Sequence, residues 1–592
     1  MAISLSSFSQ YLPPLDSSTA LIVSGTAAIT LLAVQLLKVA RLSEEELRDG
    51  VARSLLKVHY IRKHYEYGLQ IQFSCFSERT LKTWRDLDLS ILQIPEEPWS
   101  DLQISQLLDD YAKKSASDLE ELPLSGILPA CSSVKAAQKE RLTAHSSSLP
   151  LPQDQLLCDR LTPFFQKTFE ISGLWNSLHF DDFPLGSSLE YQVTHMVASM
   201  FGGTPDKVAG LVTSGGTESL MHAMLSYRNW GVREKDIPSD QTVIIAPDTV
   251  DPAVEKAAKD YQMKLIRVAT DIHGRVDMEQ LKQAVEYYRY RLVVIVGSAP
   301  SYGTGEVDPV AEFGVLGTEY VVGVHVDCSL GAFLLNYLPG YDTCFLAQPG
   351  ITSLSADAHK NGCAPQKLST LLMKRMPRGK NLAFYGSYAF PRWQGGIYGS
   401  VSTDASRFCQ PALMALIAML SIGQTGYRQI AEEIHETVNK VRQGLVQRFS
   451  TKIELLGEHT TPLVAFGLHN PLRLGKGAID ALADELKQRR FIVTRISQDG
   501  LHLWVSRRFV LNKLAVEQFL QAVDDSLQVI EKELKPSIPS DQETTLSQRL
   551  NCAIDTSFRE GNRCQAIWNF FLGSLTAKDM LGEYLLAQLT TA

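Results

Sequence analysis

From about Gly173 onward, the chain alternates short runs rich in β-branched residues with amphipathic segments of helical period. The β-branched runs predict strands, and the amphipathic segments predict the helices that connect them. Because such alternation is typical of a mostly parallel sheet covered by helices, we predict an α/β fold for this part of the chain. The predicted strands are Val243–Ile245, Leu265–Val268, Leu292–Val296 and Tyr320–Asp327, and the predicted helices include Pro252–Asp260 and Met278–Tyr287.

Length and composition exclude several classes of protein. The 592 residues are 45% hydrophobic and 21% charged, which supplies a large core and rules out a wholly disordered, collagen-like or coiled-coil chain. The net charge is −8 and there is no long basic run, which disfavours a nucleic-acid-binding protein. The nine cysteines are scattered and never have CxxC spacing, so we expect neither a disulfide framework nor a metal site, and a reducing compartment fits best.

The N-terminal stretch Ala20–Leu37 contains 18 residues without a charge. At about 1.5 Å per residue, a helix of this length nearly crosses a hydrocarbon core of roughly 30 Å, so we predict a single transmembrane helix. Basic residues follow this stretch and none precedes it, which by the positive-inside rule places the bulk of the chain in the cytosol. A buried or interfacial helix is the alternative. The basic residues that follow are Lys38, Arg41, Arg48, Arg53 and Lys57.

The rest of the chain divides by composition. Helical patterns without a chemical motif precede the α/β region, and a smaller β/α region follows a helical stretch near Gln410–Phe449. The polar stretch Pro536–Thr545 reads as a linker to a helical tail. The predicted segments are a membrane anchor and juxtamembrane helix at 1–60, a helical segment at 61–170, a large domain at 171–410, a small C-terminal domain at 411–535 and a helical extension at 536–592.

Short motifs narrow the possible chemistry. The sequence contains no P-loop motif GxxxxGK(S/T), no zinc-protease motif HExxH, no serine-hydrolase motif GxSxG and no dinucleotide motif GxGxxG. The segment Thr213–Ser219 (TSGGTES) instead places glycines and hydroxyls before the helical pattern Leu220–Trp230. At such a helix start, free backbone N–H groups and the positive dipole end can bind an anion. A tight turn with an N-cap is an equally good interpretation.

Two further segments carry candidate catalytic groups. Asp327 ends a predicted strand, and ligands of open α/β sheets gather at the carboxyl ends of strands, although this residue could equally cap the following helix. Lys360 lies among small residues in SADAHK, where a partly desolvated amine can form a Schiff base; an ordinary surface lysine is the alternative. An anion-binding turn, a strand-end carboxylate and a lysine 33 positions later are together the three contacts that pyridoxal 5′-phosphate (PLP) needs, at its phosphate, ring nitrogen and aldehyde carbon.

With these segments in view, the chain resembles the group II PLP-dependent decarboxylase superfamily and, within it, the sphingosine-1-phosphate lyase family. The resemblance spans roughly residues 170–535 and implies PLP fold type I (aspartate-aminotransferase-like), with a mostly parallel seven-stranded sheet in a PLP-binding large domain and a smaller C-terminal α/β domain. It also implies a homodimer with active sites at the subunit interface, and a membrane anchor ahead of a cytosolic catalytic domain. The matching stretches are NSLHFDDFP (176–184), TSGGTES (213–219), HVDCSLGAF (325–333), SADAHKNGCAP (355–365) and WQGGIYGS (393–400).

The resemblance implies a role for individual residues. Lys360 would hold PLP as a Schiff base, Asp327 would pair with the pyridinium nitrogen, and His179 would contact the substrate phosphate. The remaining cofactor contacts would come from Gly215, Gly216, Thr217 and His359, together with Gly399 and Ser400 of the partner subunit.

Several positions depart from the family pattern, including Ser148–Pro150, where the family has a tyrosine after two small residues. Asp251 stands where the family has a histidine over the cofactor ring, and a carboxylate cannot stack as an aromatic ring does. Gln366 replaces a second lysine, with Lys367 one place on, and Cys328 replaces an alanine under the ring. These changes concern turnover more than cofactor binding, because the loss of one acid–base group typically lowers the rate by about 10²–10⁴-fold.

The resemblance implies a PLP-dependent lyase that cleaves the C2–C3 bond of phosphorylated long-chain sphingoid bases to phosphoethanolamine and a fatty aldehyde. A substrate that resides in membranes fits an enzyme anchored in an endoplasmic-reticulum-like membrane with its catalytic domain facing the cytosol. Two alternatives remain open. One is a catalytically impaired homologue that binds lipid phosphates, as the Asp251 and Gln366 departures suggest, and the other is a PLP-dependent amino-acid decarboxylase.

Overall fold

Strands and helices alternate in the computed structural model, which describes residues 91–120, 155–173, 175–178, 183–377, 379–458, 460–469, 477–496 and 500–533. The strands are β1 Ala209–Thr213, β2 Val243–Pro247, β3 Lys264–Val268, β4 Leu292–Ser298, β5 Gly323–Asp327, β6 Ser353–Ala356, β7 Ser369–Met373, β8 Tyr388–Trp393, β9 Gly396–Ser400, β10 Ile453–Leu456, β11 Leu463–Leu468, β12 Thr494–Arg495 and β13 Gly500–Trp504. The helices are α1 Asp101–Glu120, α2 Gln155–Ser172, α3 Pro184–Met200, α4 Gly216–Glu234, α5 Pro252–Asp260, α6 Met278–Tyr288, α7 Val310–Glu319, α8 Leu382–Gly386, α9 Gln410–Phe449, α10 Ala478–Gln488, α11 Arg507–Leu511 and α12 Ala515–Glu533.

The main sheet has seven strands in the order β1-β7-β6-β5-β4-β2-β3. Strand β7 runs antiparallel to its neighbours β1 and β6, and the other pairs are parallel. This confirms the predicted α/β class and the mostly parallel seven-stranded sheet. The register pairs Ser298 with Asp327 and Asp327 with Ser355, so the carboxyl ends of β4, β5 and β6 lie side by side. That edge of the sheet carries the candidate site.

Helix α4 packs on this sheet, and its Tyr227 and Trp230 side chains are fully buried. The Tyr227 hydroxyl contacts the Thr352 Oγ1 at 2.7 Å and the Ser353 Oγ at 2.6 Å, which ties the helix to the start of β6. Strand β5 can approach this ring because residue 323 is glycine: a Cβ there would lie 2.1 Å from Cε1 of Tyr227. The close approach packs α4 directly on the strand that ends in the candidate site.

The predicted elements match the observed ones with one clear error in position. Helix α5 has its predicted bounds, whereas the strand predicted to begin at Tyr320 begins at Gly323. The backbone N–H of Tyr320 donates to the Leu316 carbonyl and ends α7, and Val321 has φ of +53°, a left-handed conformation that a strand cannot contain. The apolar run therefore includes a helix end and a turn as well as a strand.

Helix α9 matches its predicted bounds but is interrupted at Gly423, where φ is +64°. A Cβ there would lie 2.7 Å from the backbone nitrogen of Pro98, so the interruption is a place where two backbone segments touch. The backbone N–H of Gln424 donates to the Pro95 carbonyl, and that of Trp99 donates to the Leu420 carbonyl. The segment before α1 thus supplies hydrogen bonds at the break in α9.

A smaller antiparallel sheet, in the order β10-β11-β13-β12, lies in the C-terminal part of the described chain. Strand β11 is fully buried, and Phe466 on it packs edge-on against Phe519 of α12. This agrees with a smaller C-terminal α/β region. The described residues up to Gln528 belong to one compact unit, and the end of α12 from Val529 onward belongs to a second unit. The four boundaries between the five predicted segments stay predictions.

The predicted membrane anchor Ala20–Leu37 and the extension 536–592 lie outside the described residues. Within the part of the chain that is described, no helix combines the length and the apolarity needed to cross a bilayer.

Candidate active site

Asp327 ends β5 at the carboxyl edge of the main sheet, as the sequence predicts. Its side chain is 8% exposed, and its Oδ1 accepts three hydrogen bonds. The Ser329 backbone N–H donates at 3.0 Å, the Ser329 hydroxyl at 2.5 Å and the Ser355 hydroxyl at 3.1 Å. Three donors therefore hold Oδ1 of Asp327 in a fixed orientation. Its Oδ2 remains available to a ligand.

His325 lies two residues before Asp327 on β5 and is fully buried. Burial lowers the pKa of His325 to about 4, despite the opposing effect of the nearby Asp327 carboxylate, so the ring is neutral near pH 7. Its Nδ1 is 2.7 Å from the Ser353 Oγ and its Nε2 is 3.3 Å from the Ser355 Oγ. The ring thus supports Ser355, which in turn holds Asp327.

The glycine turn lies next to these residues. Helix α4 begins at Gly216 with Gly215 as its N-cap, and Thr217 in its first turn is exposed. A Cβ at position 216 would lie 2.9 Å from the Ser329 Oγ and 3.1 Å from the Asp357 Oδ2, so this position has no room for a side chain. The free N–H groups and the positive dipole end of α4 consequently face the same site as Asp327.

Lys360 follows the end of β6, and its Nζ is 3.1 Å from Oδ2 of Asp357. The Asp357 side chain is 1% exposed, and its Oδ1 has no hydrogen-bond partner. His359 Nδ1 is 2.6 Å from the Leu368 carbonyl oxygen, and its Nε2 is 3.7 Å from Asp357. The His359 ring also borders the glycine turn, because a Cβ on Gly215 would lie 3.8 Å from its Cε1.

Asp251 caps α5 by accepting a hydrogen bond from the Ala253 backbone N–H at 2.8 Å. Burial raises the pKa of Asp251, and the Asp327 carboxylate raises it further, while Lys360 has the opposite effect. These interactions place Asp251 beside the predicted cofactor residues. Cys328 is also buried, and its burial, followed by the Asp327 charge, raises the thiol pKa well above its ordinary value, so the sulfur stays protonated.

No contact among the described residues joins Gly399, Ser400 or Gln366 to this group. Gly399 and Ser400 lie on the separate β8–β9 hairpin, where the Ser400 hydroxyl donates to the Ser402 carbonyl at 2.7 Å. Their assignment to the site of a partner subunit stays a prediction. Gln366 is exposed and is followed by Lys367 in the left-handed region, with φ of +76°. His179 lies outside the described residues.

Sequence reasoning missed three residues that shape the site: Asp357, Ser329 and Ser355. Asp357 precedes Lys360 by three residues, a spacing at which a turn can bring two side chains together, so a signal for this residue existed. The two serines had no such signal. Ser355 reaches Asp327 because β5 and β6 are paired in register, and Ser329 reaches it through a local turn.

Comparison with known proteins assigns the chain to a family. Residues 173–469, half of the chain, match the pyridoxal-dependent decarboxylase conserved domain. Sphingosine-1-phosphate lyase 1 of Rattus norvegicus is 34% identical over 300 residues, which cover 49% of this chain and 50% of the rat protein. The sphingosine-1-phosphate lyase of Dictyostelium discoideum is 28% identical over 392 residues, covering 64% and 68% of the two chains. The chain thus spans about half the length of the rat relative.

Solved structures show the same fold. The sphingosine-1-phosphate lyase of Burkholderia pseudomallei superimposes with a TM-score of 0.57 at 24% identity, covering 69% of this chain and 92% of that one. A glutamate decarboxylase of Lactobacillus brevis superimposes with a TM-score of 0.54 at 15% identity, covering 72% and 98%. Both likenesses concern the fold, and they agree with PLP fold type I.

The described residues fit PLP, the cofactor of this family. The glycine turn at Gly216 offers backbone donors to a phosphate, the buried Asp327 offers an acceptor to a protonated ring nitrogen, and Lys360 offers an amine to an aldehyde. These groups lie around one edge of the sheet, where a cofactor can meet all three. Geometry and comparison together show that the chain belongs to the pyridoxal-dependent decarboxylase family.

Proposed function

We propose that this chain is a PLP-dependent carbon–carbon lyase that cleaves phosphorylated long-chain sphingoid bases between C2 and C3. The products would be phosphoethanolamine and a fatty aldehyde. The observation that carries the proposal is the convergence of Lys360, Asp327 and the glycine turn in a chain whose relatives include sphingosine-1-phosphate lyases of rat, yeast and Arabidopsis thaliana.

Each part of the candidate site would have its own role in this reaction. When bound, PLP supplies an electron sink for the electron pair of the broken bond. Asp327 would hold a proton on the ring nitrogen, and its two serine partners keep the carboxylate in place. The start of α4 would bind the cofactor phosphate through its free N–H groups.

Lys360 would serve as the acid–base group for the proton transfers. Its amine would take the proton of the C3 hydroxyl as the C2–C3 bond breaks, so that C3 leaves as the aldehyde carbon. The same group would return a proton to C2, which completes phosphoethanolamine. The neutral thiol of Cys328 and the neutral ring of His325 add no charge to this environment.

An absorbance and product assay tests the proposal. Purified full-length protein loaded with PLP should show a visible band that Lys360→Ala abolishes and that Lys256→Ala, an exposed lysine of α5, retains. Incubation with sphingosine 1-phosphate should release a long-chain aldehyde. Carbon dioxide from amino acids in place of aldehyde would identify a decarboxylase instead.

A protein that binds PLP and lipid substrate but releases neither product would support the impaired homologue. That alternative makes its own prediction, because the double variant Asp251→His/Gln366→Lys should then gain activity that the wild type lacks. Ordinary lipid turnover by the wild type would exclude it.

We propose further that the chain works as a homodimer in which Gly399 and Ser400 of the partner subunit reach the cofactor site. The β8–β9 hairpin that carries these residues exposes aromatic side chains, including Tyr388 at 58% and Trp393 at 53%. Exposed aromatic residues clustered on one hairpin are typical of an interface.

Subunit complementation tests the shared site. Lys360→Ala and Gly399→Trp should each be inactive alone, because one lacks the amine and the other blocks the partner's site. Co-expressed, they should form mixed dimers with one intact site and recover about a quarter of wild-type activity. No recovery in mixtures shown by mass spectrometry to contain the mixed dimer would contradict the shared site.

We propose finally that Ala20–Leu37 anchors the protein in a membrane with the catalytic domain in the cytosol. The support is the uncharged run and the basic residues that follow it. Protease protection of full-length protein in sealed microsomes, tagged at either end, tests this topology. The C-terminal tag should be digested without detergent and the N-terminal tag should be protected; the reverse pattern, or extraction of the protein by alkaline carbonate, would contradict it.

A further inference from the structure

Asp327, Asp251 and Asp357 are the acidic residues of the site, and they differ in what they already bind. Asp327 accepts three hydrogen bonds on one oxygen, and Asp251 is engaged as the cap of α5. Asp357 has an oxygen 3.1 Å from the Lys360 Nζ, while its other oxygen has no hydrogen-bond partner. Among the charged side chains of the described residues, Asp357 is therefore the one in direct contact with the amine.

The contact between Asp357 and Lys360 differs from a surface ion pair because the carboxylate is buried. The Asp357 side chain is 1% exposed, whereas that of Lys360 is 29% exposed, so the carboxylate lies beneath the amine and away from water. A buried carboxylate with an unsatisfied oxygen is costly unless a cation compensates it. Besides Lys360, two groups border this carboxylate: the His359 ring, whose Nε2 is 3.7 Å from Oδ2, and the positive end of α4, since a Cβ on Gly216 would lie 3.1 Å from the same oxygen.

We propose that Asp357 is the counter-ion that positions the amine of Lys360 for covalent attachment of the cofactor and then accompanies the charge on that nitrogen. The inference rests on the proposed function in one respect, the attachment of PLP to Lys360. Asp357 acts through Lys360 and is a positioning residue.

The attachment step explains why one fixed carboxylate can stabilise the charge on the Lys360 nitrogen both before and after the cofactor is attached. The ammonium nitrogen of Lys360 forms a double bond to the aldehyde carbon, two of its hydrogens leave with the aldehyde oxygen as water, and the nitrogen keeps one hydrogen and its positive charge. The charge beside Asp357 is thus the same before and after the step. A preplaced counter-ion therefore stabilises both states without rearranging.

Asp357→Asn is the direct test, because it keeps the shape of the side chain and removes the charge. In PLP-loaded protein, the pH midpoint of the visible absorbance change should fall by about one unit or more, since an opposite charge at this distance favours the protonated nitrogen. Uptake of PLP by cofactor-free protein should slow by about tenfold or more, because the amine is no longer held. Asp357→Glu, which keeps the charge, should restore most of the midpoint.

Asp260→Asn is the matched control. Asp260 pairs with Lys256 at 2.7 Å on the exposed surface of α5. The variant Asp260→Asn therefore removes a carboxylate from a lysine pair outside the site. Its midpoint and its rate of PLP uptake should equal those of the wild type. If Asp357→Asn also equals the wild type in both measurements, the inference is wrong. Absence of a visible band in the wild type, or its survival in Lys360→Ala, would instead contradict the proposed function.

A second measurement applies if Asp357→Asn does not fold. Lys360→Met leaves Asp357 buried without its cation, so cofactor-free Lys360→Met should melt several degrees below the wild type at pH 8. Equal melting temperatures of the two proteins would show that the two groups are not coupled and would overturn the inference.

Discussion

The carboxylate of Asp251 accepts a hydrogen bond from the Ala253 backbone N–H at 2.8 Å and so caps helix α5. The same carboxylate lies close enough to Asp327 for that charge to raise its pKa, in addition to the effect of burial. A residue that departs from the family pattern therefore has a structural role at a helix end and an electrostatic role at the site.

Two variants of Asp251 separate these roles. Asp251→Ala should have a free energy of unfolding about 1 kcal/mol lower than that of Asp251→Asn, because both variants remove the charge and only asparagine keeps the cap. The pKa of Asp251 is raised in the fold, so its contribution to stability is present below the ordinary value of 3.8 and is lost as pH rises through the raised value. Asp251→Asn should therefore be more stable than the wild type at pH 7. Thermal unfolding across pH measures both effects, and a destabilised Asp251→Asn at pH 7 would refute the electrostatic part.

Asp308 makes stability depend on pH near neutrality. It lies after β4, accepts a hydrogen bond from the Ser298 backbone N–H at 2.7 Å, and burial raises its pKa from 3.8 to about 7. The folded state then binds this proton more tightly than the unfolded state, so the stabilisation is complete below about pH 4 and is lost as pH rises to about 7. Asp308→Asn should remove this part of the pH dependence in denaturant titrations, and Asp260→Asn should not. Parallel profiles for wild type and Asp308→Asn would contradict the assignment.

The hydroxyl of Tyr227 should be measurably stabilising. Tyr227→Phe removes the hydroxyl that contacts Thr352 and Ser353 and leaves those buried groups with fewer partners. We expect a loss of about 1–3 kcal/mol in the free energy of unfolding, measured in urea. Tyr288→Phe is the control, because its hydroxyl accepts an exposed hydrogen bond from Lys264 at 3.2 Å and should matter by less than about 0.5 kcal/mol. Equal effects of the two variants would mean that the buried contacts contribute nothing.

The serines that hold Asp327 should control cofactor affinity. Ser355→Ala and Ser329→Ala each remove one hydroxyl that donates to its Oδ1. Because hydrogen bonds to charged groups contribute about 1.5–3 kcal/mol, we expect each variant to raise the dissociation constant of PLP by about tenfold, measured by fluorescence quenching. Ser226→Ala removes an equally buried hydroxyl that donates to the His222 carbonyl within α4, and it should leave the affinity unchanged. An unchanged affinity in both Asp327 variants would show that the carboxylate needs no such support.

Local sequence signals predicted the elements whose ends depend on nearby residues. Helix α5 has its predicted bounds because Asp251 and Pro252 form a cap and a first turn that the sequence alone encodes. The sequence places the start of the strand before Asp327 three residues too early because Tyr320, Val321 and Val322 continue its aromatic and β-branched pattern, although they form a helix end and a turn. The left-handed conformation at Val321 that separates them leaves no such trace in the residue pattern.

The candidate site likewise combines residues that the sequence predicts with contacts that only the fold determines. Lys360, Asp327 and the glycine turn were predicted because each carries its own chemistry in a short motif, and a parallel sheet brings strand ends to one edge. The support around them was decided by the tertiary structure. Ser355 meets Asp327 because two strands pair in a particular register, and Asp357 lies against the start of α4 because glycine at 216 permits a close approach. Both contacts join residues distant in sequence, so only the packed fold determines them.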